Sequence, residues 1–91
     1  MNSTFLQRDD NVITNIDKLE KEIKAELITE LIRTRNKLGV SQKKLEILSG
    51  VKQPIIARLE KGYVSPNIST LLKLLVPLGK TLYIDDLYEN D

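Results

Sequence analysis

Ninety-one residues, 41% of them hydrophobic and 30% charged, describe one small globular domain with or without an appended arm, and neither a disordered nor a membrane chain. A chain this short buries only about 60–65% of the surface its unfolded form exposes, which leaves little room for a deep substrate cavity. The absence of Cys and His removes disulfides, thiolate metal sites, the commonest general base and the usual partner of a nucleophilic Ser, so an enzyme, a metal and a cofactor are all disfavoured.

No apolar run approaches the roughly 18 residues of a membrane span. The start MNSTFLQRDDN has neither a basic opening nor an apolar stretch, so no secretion signal is expected. The net charge of +1 hides a segregation. Residues 1–32 carry 4 Lys/Arg against 7 Asp/Glu, residues 33–80 carry 10 against 2, and residues 81–91 carry 4 acids and no base. A basic block between acidic ends fits a polyanion-binding domain with arms that do something else. An ordinary solvated surface with chance clustering fits the same counts.

Residues 1–10 show no period and are expected to fray. From about Asn11 to Leu38 the apolar residues Val12, Ile16, Leu19, Ile23, Leu27, Leu31 and Leu38 step by three, four or seven, the stripe of an amphipathic helix. Ile13, Ile28 and Ile32 widen it. No Gly or Pro interrupts it, so it is one long helix or two joined by a tight bend. Glu20, Glu22 and Glu26 interleave with Lys18, Lys21 and Lys24 at helical pairing distances. Gly39 is the expected left-handed cap at its end.

Ser41 reads as an N-cap to a short helix, Gln42 to Ser49, with Leu45 and Leu48 on one face. Gly50 marks a turn that needs positive φ. A second short helix from about Gln53 to Lys61 carries Ile55, Ile56 and Leu59, with Pro54 tolerated in its first turn. Gly62 closes it. Residues 65–67 lead into a helix from Ile68 to Leu78, apolar at Ile68, Leu71, Leu72, Leu75 and Val76, which Pro77 should kink or end early. Gly79 completes the stop. Residues 81–84, Thr-Leu-Tyr-Ile, are β-branched and aromatic and read as one short strand.

Two short helices joined by a turn of three or four residues containing Gly form the helix-turn-helix pattern. Val51, Ile56 and Leu59 hold the second helix against Leu45 and Leu48, so its opposite face carries Lys52, Gln53, Ile55, Arg58 and Lys61. That face is short, polar and basic and suits the major groove of DNA. Gln53 matches an adenine edge or a phosphate, Arg58 a guanine or phosphates, and Ile55 a thymine methyl. Gln42, at the start of the preceding helix, suits a phosphate. The alternative for each of these polar residues is a solvated helix face; DNA contact is the favoured reading for Gln53 and Arg58, and the solvated face for Lys43, Lys44, Lys73 and Lys80.

The stretch LGVSQKKLEILSGVKQPIIARLEKG resembles the phage repressor/Cro-type (xenobiotic-response-element, XRE) helix-turn-helix family. The matching positions are Gly39, Ser41, Gln42, Leu45, Gly50, Val51, Gln53, Ile56, Leu59, Glu60 and Gly62, continuing through Pro66, Thr70, Leu71, Leu74, Leu78 and Gly79. The resemblance covers residues 31–79. It implies an all-α domain of the five-helix repressor/Cro type, here with an N-terminal helical extension (residues 1–30) and a short C-terminal β-strand in an acidic tail (residues 80–91). It implies DNA contacts from Gln42, Lys43, Lys52, Gln53, Ile55, Arg58 and Lys61, with Tyr63 and Asn67 flanking the loop beyond. It also implies a semi-buried ion pair between Arg35 and Glu60, which makes Glu60 structural. Three departures stand out: Glu46 where the family prefers Ala at the helix–helix contact, Lys52 where Ser or Thr caps the recognition helix, and Pro77 within the last helix.

The arms and the segment LGKTLYIDDL give a layout that resembles antitoxins of the host-inhibition-of-growth (HigA) type. That resemblance implies a homodimeric repressor of its own operon, bound to palindromic operator DNA in the cytoplasm beside the nucleoid, with a basic ribonuclease toxin as partner and no membrane. Val12, Ile16, Leu19, Ile23, Leu82 and Ile84 are the expected toxin or dimer contacts, because the stripe is too long for so small a domain to cover. An arm that only extends the core, a stand-alone phage or chromosomal repressor, and a helix-turn-helix used solely for protein interaction remain alternatives.

Overall fold

Residues Asp10–Lys37 form a single unbroken helix, α1, in a computed structural model that describes residues 10–87, with side chains from residue 15 onward. The expected fraying of the N-terminus thus falls almost wholly outside the described residues. One helix forms, not two, because nothing between these residues breaks the hydrogen-bond ladder. The interleaved acids and lysines are not its glue: none of Glu20, Glu22 and Glu26 closes an ion pair with Lys18, Lys21 or Lys24. Glu30 instead meets Arg33 at 3.6 Å and Lys80 at 3.9 Å. Such exposed pairs contribute little, and solvation competes with them.

Three short helices follow: α2 (Gln42–Ser49), α3 (Gln53–Glu60) and α4 (Ile68–Leu75), the last running into a single 3-10 turn, Val76–Leu78. Two of the three starts, those of α2 and α4, are set by local chemistry. Ser41 Oγ accepts the Lys44 N–H at 3.0 Å and Asn67 Oδ1 accepts the Thr70 N–H at 2.8 Å. The stop before Pro77 falls where a ring without an N–H forbids further α-helix.

Among the described residues the fold is all-helical, but four helices and a 3-10 turn replace the expected five-helix count. The expected strand is absent. Residues 81–84 have no regular structure, because a strand exists only as half of a hydrogen-bonded pair and no other strand occurs among the described residues.

The core is small and aliphatic. Leu31 of α1, Leu45 of α2, Val51 of the turn, Ile56 and Leu59 of α3, and Leu74, Leu75 and Leu78 at the end of the chain's helical part are buried together. Ile28, Val40, Val64, Leu71 and Leu82 pack around them. Three expectations shift here. On α4 the inward stripe is Leu71, Leu74, Leu75 and Leu78, a spacing of three, four and seven, while Ile68 and Val76 are exposed. On α2, Leu45 is fully buried but Leu48 is largely exposed. It lies in the last turn of α2, before the chain reverses at Gly50. Leu38, at the far end of the α1 stripe, falls outside the helix and is also exposed.

Candidate nucleic-acid interface

The reversal between α2 and α3 takes residues 50–52. Gly50 adopts φ +78° as the cap of α2, a conformation L side chains resist, and its N–H closes on the Glu46 carbonyl at 2.8 Å. The Val51 N–H is taken by Ser49 Oγ at 3.0 Å. With the Gly50 and Val51 amides satisfied, Val51 drops into the core and α3 docks across α2, burying Ile56 and Leu59.

What remains of α3 faces outward. Lys52, Ile55, Arg58 and Lys61 are exposed and Gln53 is half-buried. Eight residues of helix span about 12 Å, close to the width of the B-DNA major groove. Gly62 and Tyr63 close α3 with paired bonds to the carbonyls of Leu59 and Arg58, at 2.9 and 3.0 Å. That closure leaves the Tyr63 ring on the surface. Asn67 is exposed too, with its side-chain oxygen engaged in capping α4.

A chain of hydrogen bonds runs from the core to this face. Arg35 Nε and Nη2 donate to the two carboxylate oxygens of Glu60, each at 2.8 Å, and Arg35 Nη1 donates to the Val40 carbonyl at 2.9 Å. The two side chains are only 11% and 6% exposed, so each charge is matched by the other and by added hydrogen bonds. Glu60 Oε1 also accepts from Gln42 Nε2 at 2.9 Å, and Gln42 Oε1 accepts from Gln53 Nε2 at 2.7 Å. A carboxylate can only accept, so Gln42 must turn its NH₂ toward Glu60 and its oxygen toward Gln53. Gln53 must then present its own NH₂ to Gln42. The side chain that sequence analysis expects on a phosphate, Gln42, is therefore an internal strut. Gln53 keeps its carbonyl oxygen and one N–H outside this chain of bonds.

Glu46 has a role that sequence analysis missed. Its Oε1 accepts the backbone N–H of Gln53 at 3.0 Å and a bond from Lys43 Nζ at 3.2 Å. The Gln53 N–H first, then the Lys43 ammonium, hold its carboxyl below the ordinary carboxylate range against the opposing pull of desolvation. The acid that looked like a misfit at a helix contact thus caps the start of α3, where Lys52 makes no capping bond. The legible signal was the missing cap at position 52 with an acid six residues before it.

Residues 31–84 match the model of the helix-turn-helix family. The chain belongs to the repressor/Cro-type (XRE) helix-turn-helix family. Two relatives of this XRE protein extend the likeness beyond the matched segment. It is 50% identical over 84 residues to a protein of Haemophilus influenzae named an uncharacterized HTH-type transcriptional regulator, covering 92% of this chain and 86% of that one. It is 44% identical, with a TM-score of 0.69, to a chain of a solved toxin–antitoxin module from Streptococcus pneumoniae, covering 90% of this chain and 85% of that one.

A second surface of the XRE protein lies away from the α3 outer face. A groove of about 430 Å³ runs between α1 and the α3–α4 side, with Ile16, Leu19, Ile23 and Leu27 facing Leu59, Pro66 and Leu71. Ile16 and Ile23 are 47% and 46% exposed. Val12 lies in α1, with its side chain outside the description. Lys24 Nζ donates to the Gly62 carbonyl at 3.3 Å and ties this part of α1 to the end of α3. In the C-terminal segment Leu82 packs on the protein's own core while Ile84 is fully exposed. Among the described residues no helix is long and apolar enough to cross a membrane, and no cluster of acids suited to a metal ion occurs.

Proposed function

We propose that this protein is a sequence-specific DNA-binding repressor that serves as the antitoxin of a toxin–antitoxin pair. The observation that carries the reading is the outward face of α3, on which Gln53 is pre-oriented beside the exposed Ile55 and Arg58. Two copies bring two such helices into successive major grooves of a palindromic operator, about 34 Å apart, in the protein's own promoter. Gln53 reads an adenine, Arg58 forks onto a guanine and Ile55 meets a thymine methyl. Lys43, Lys52, Lys61, Tyr63 and the Asn67 amide meet phosphates, as do the first-turn N–H groups of α2 beside Gln42. Occupied operator excludes polymerase. The H. influenzae relative, named a transcriptional regulator, supports the DNA half of this reading.

The toxin half rests on the likeness to the S. pneumoniae toxin–antitoxin module and on the arms. The half-exposed stripe at Ile16, Leu19 and Ile23, flanked by an excess of acids, suits a basic ribonuclease by apolar burial and charge. Ile84 and the acidic tail extend that surface or form the dimer seam. In a stand-alone repressor the same stripe would serve as a dimer seam. The test is co-expression with the product of the adjacent gene. A stable assembly in which nuclease activity is silenced, and which still retards the promoter fragment, is the expected result. Promoter binding with no partner assembly would return the protein to the stand-alone class, and partner assembly with no promoter binding would leave the helix-turn-helix as an interaction module.

A further inference from the structure

The start of α3 has no cap of its own. Lys52 occupies the N-cap position with extended backbone, φ −64° and ψ 141°, and its side chain makes no capping bond. A helix start leaves several N–H groups without intrahelical partners. Here Pro54 has none to satisfy, and the Ile55 and Ile56 N–H groups both return to the Lys52 carbonyl, at 2.9 and 3.1 Å. The Gln53 N–H remains, and it crosses to the neighbouring helix, onto Glu46 Oε1.

Glu46 is well placed for this. Its side chain is only 19% exposed and is steadied by Lys43. Gln53 is consequently fastened to α2 at two points one helical turn apart: its backbone N–H by Glu46 and its side-chain amide by Gln42. The first bond sets where α3 begins, and the second sets the direction in which the Gln53 side chain leaves it.

We propose that Glu46 is a positioning residue for DNA readout, whose carboxylate caps the recognition helix from the adjacent helix and thereby aims Gln53 at its base. The proposal rests on the DNA-binding reading above. A carboxylate between Lys43 and Lys52 lowers the local attraction for phosphate at every DNA sequence. In return it fixes a side chain whose orientation distinguishes sequences. Glu46 therefore weakens non-specific binding while it sharpens specific binding. Cap and charge are separable, because a Gln side chain at position 46 offers an oxygen to the same N–H without the charge.

The experiment compares wild type, Glu46→Ala and Glu46→Gln on a duplex of the protein's own promoter and on a scrambled duplex of equal composition, over a range of salt. Glu46→Ala is expected to lose roughly tenfold in the promoter-over-scrambled ratio, the scale of one base contact, while binding scrambled duplex more tightly. Glu46→Gln is expected to keep the wild-type ratio within about twofold, while both duplexes bind more tightly at low salt and the salt slope steepens by about one released counterion. In the free proteins, hydrogen exchange at the Gln53 amide should be faster in Glu46→Ala than in wild type and near wild type in Glu46→Gln. A discriminating wild type alongside an equally discriminating Glu46→Ala overturns this proposal alone. So does a Glu46→Gln ratio as poor as that of Glu46→Ala, or an unaltered Gln53 exchange rate in Glu46→Ala. A wild type without promoter preference overturns the DNA reading and this proposal with it.

Discussion

The side-chain amide of Gln53 donates to the side-chain oxygen of Gln42 at 2.7 Å, and through that bond the exposed face of α3 is wired to the buried ion pair beneath it. Glu60 takes two bonds from Arg35 and one from Gln42. Because only acceptors lie at the Glu60 end, each amide along the chain has one permitted orientation. Arg35, from α1, thus influences how Gln53 faces solvent without touching it.

This wiring predicts non-additivity. Gln42→Ala and Gln53→Ala should each weaken promoter binding, and the double variant should lose less than the sum of the two by about 0.5–1.5 kcal/mol, the net worth of one hydrogen bond. A double-mutant cycle on promoter duplex measures it. Strict additivity would mean that Gln42 does not orient Gln53 on DNA.

The ion pair at the root of the chain should behave as a buried one. Arg35→Ala or Glu60→Ala each strands an opposite charge at a nearly closed site and should destabilise the fold by about 3–5 kcal/mol in urea unfolding. Replacing both by apolar residues of similar bulk, Arg35→Met with Glu60→Leu, should restore much of that loss. The double variant should nevertheless discriminate DNA poorly, since Gln42 loses the acceptor that orients it. A double variant no more stable than either single one would show that the pair's charge is not what the fold depends on.

Much of this arrangement is legible in the chain itself. Glycines at positions 39, 50 and 62, together with Ser41, delimit α2 and α3 closely, because caps and left-handed turns are local chemistry. Pro77 stops α4 for the same reason. What is not legible depends on partners distant in sequence. Residues 81–84 have strand composition but no edge to pair with among the described residues. The α4 segment offers more than one apolar stripe, and only docking against α2 chose Leu74 over Ile68. Leu48 has the right spacing for the core but stays exposed in the last turn of α2. Glu46 was readable as a departure and not as a cap, since its bond spans two helices.

Glu46 also confers a pH dependence of known sign. Its folded-state pKa lies below the ordinary value of 4.5, chiefly because the Gln53 N–H and Lys43 favour the charged form. The stability this contributes is complete above the ordinary carboxylate value and disappears as pH falls through the lowered folded value. Lys43 and Lys52 are the charged groups facing it. The difference in urea midpoint between wild type and Glu46→Gln should therefore favour wild type at neutral pH and shrink as the solution is acidified below that range. A difference independent of pH would remove the carboxylate's charge from the account.

The groove between α1 and the α3–α4 side gives the toxin half of the account its own test. Ile16→Asp with Ile23→Asp places two charges on a half-exposed apolar stripe that the core does not need. Partner binding should weaken by about 2 kcal/mol or more, as loss of apolar anchors does at interfaces. Promoter binding should change little. Calorimetric titration of the partner and gel retardation of the promoter read the two effects separately, and undiminished partner affinity would move the contact to Ile84 and the C-terminal segment.

The most direct measurement is the affinity of the wild-type protein for its own promoter duplex against a scrambled duplex, taken as a function of salt. The account predicts a preference of about a thousandfold or more at physiological salt. It also predicts that binding to both duplexes falls steeply as salt rises, because several phosphates are neutralised by each protomer. Equal affinity for the two duplexes, or binding to neither, would contradict the claim that the outward face of α3 reads DNA.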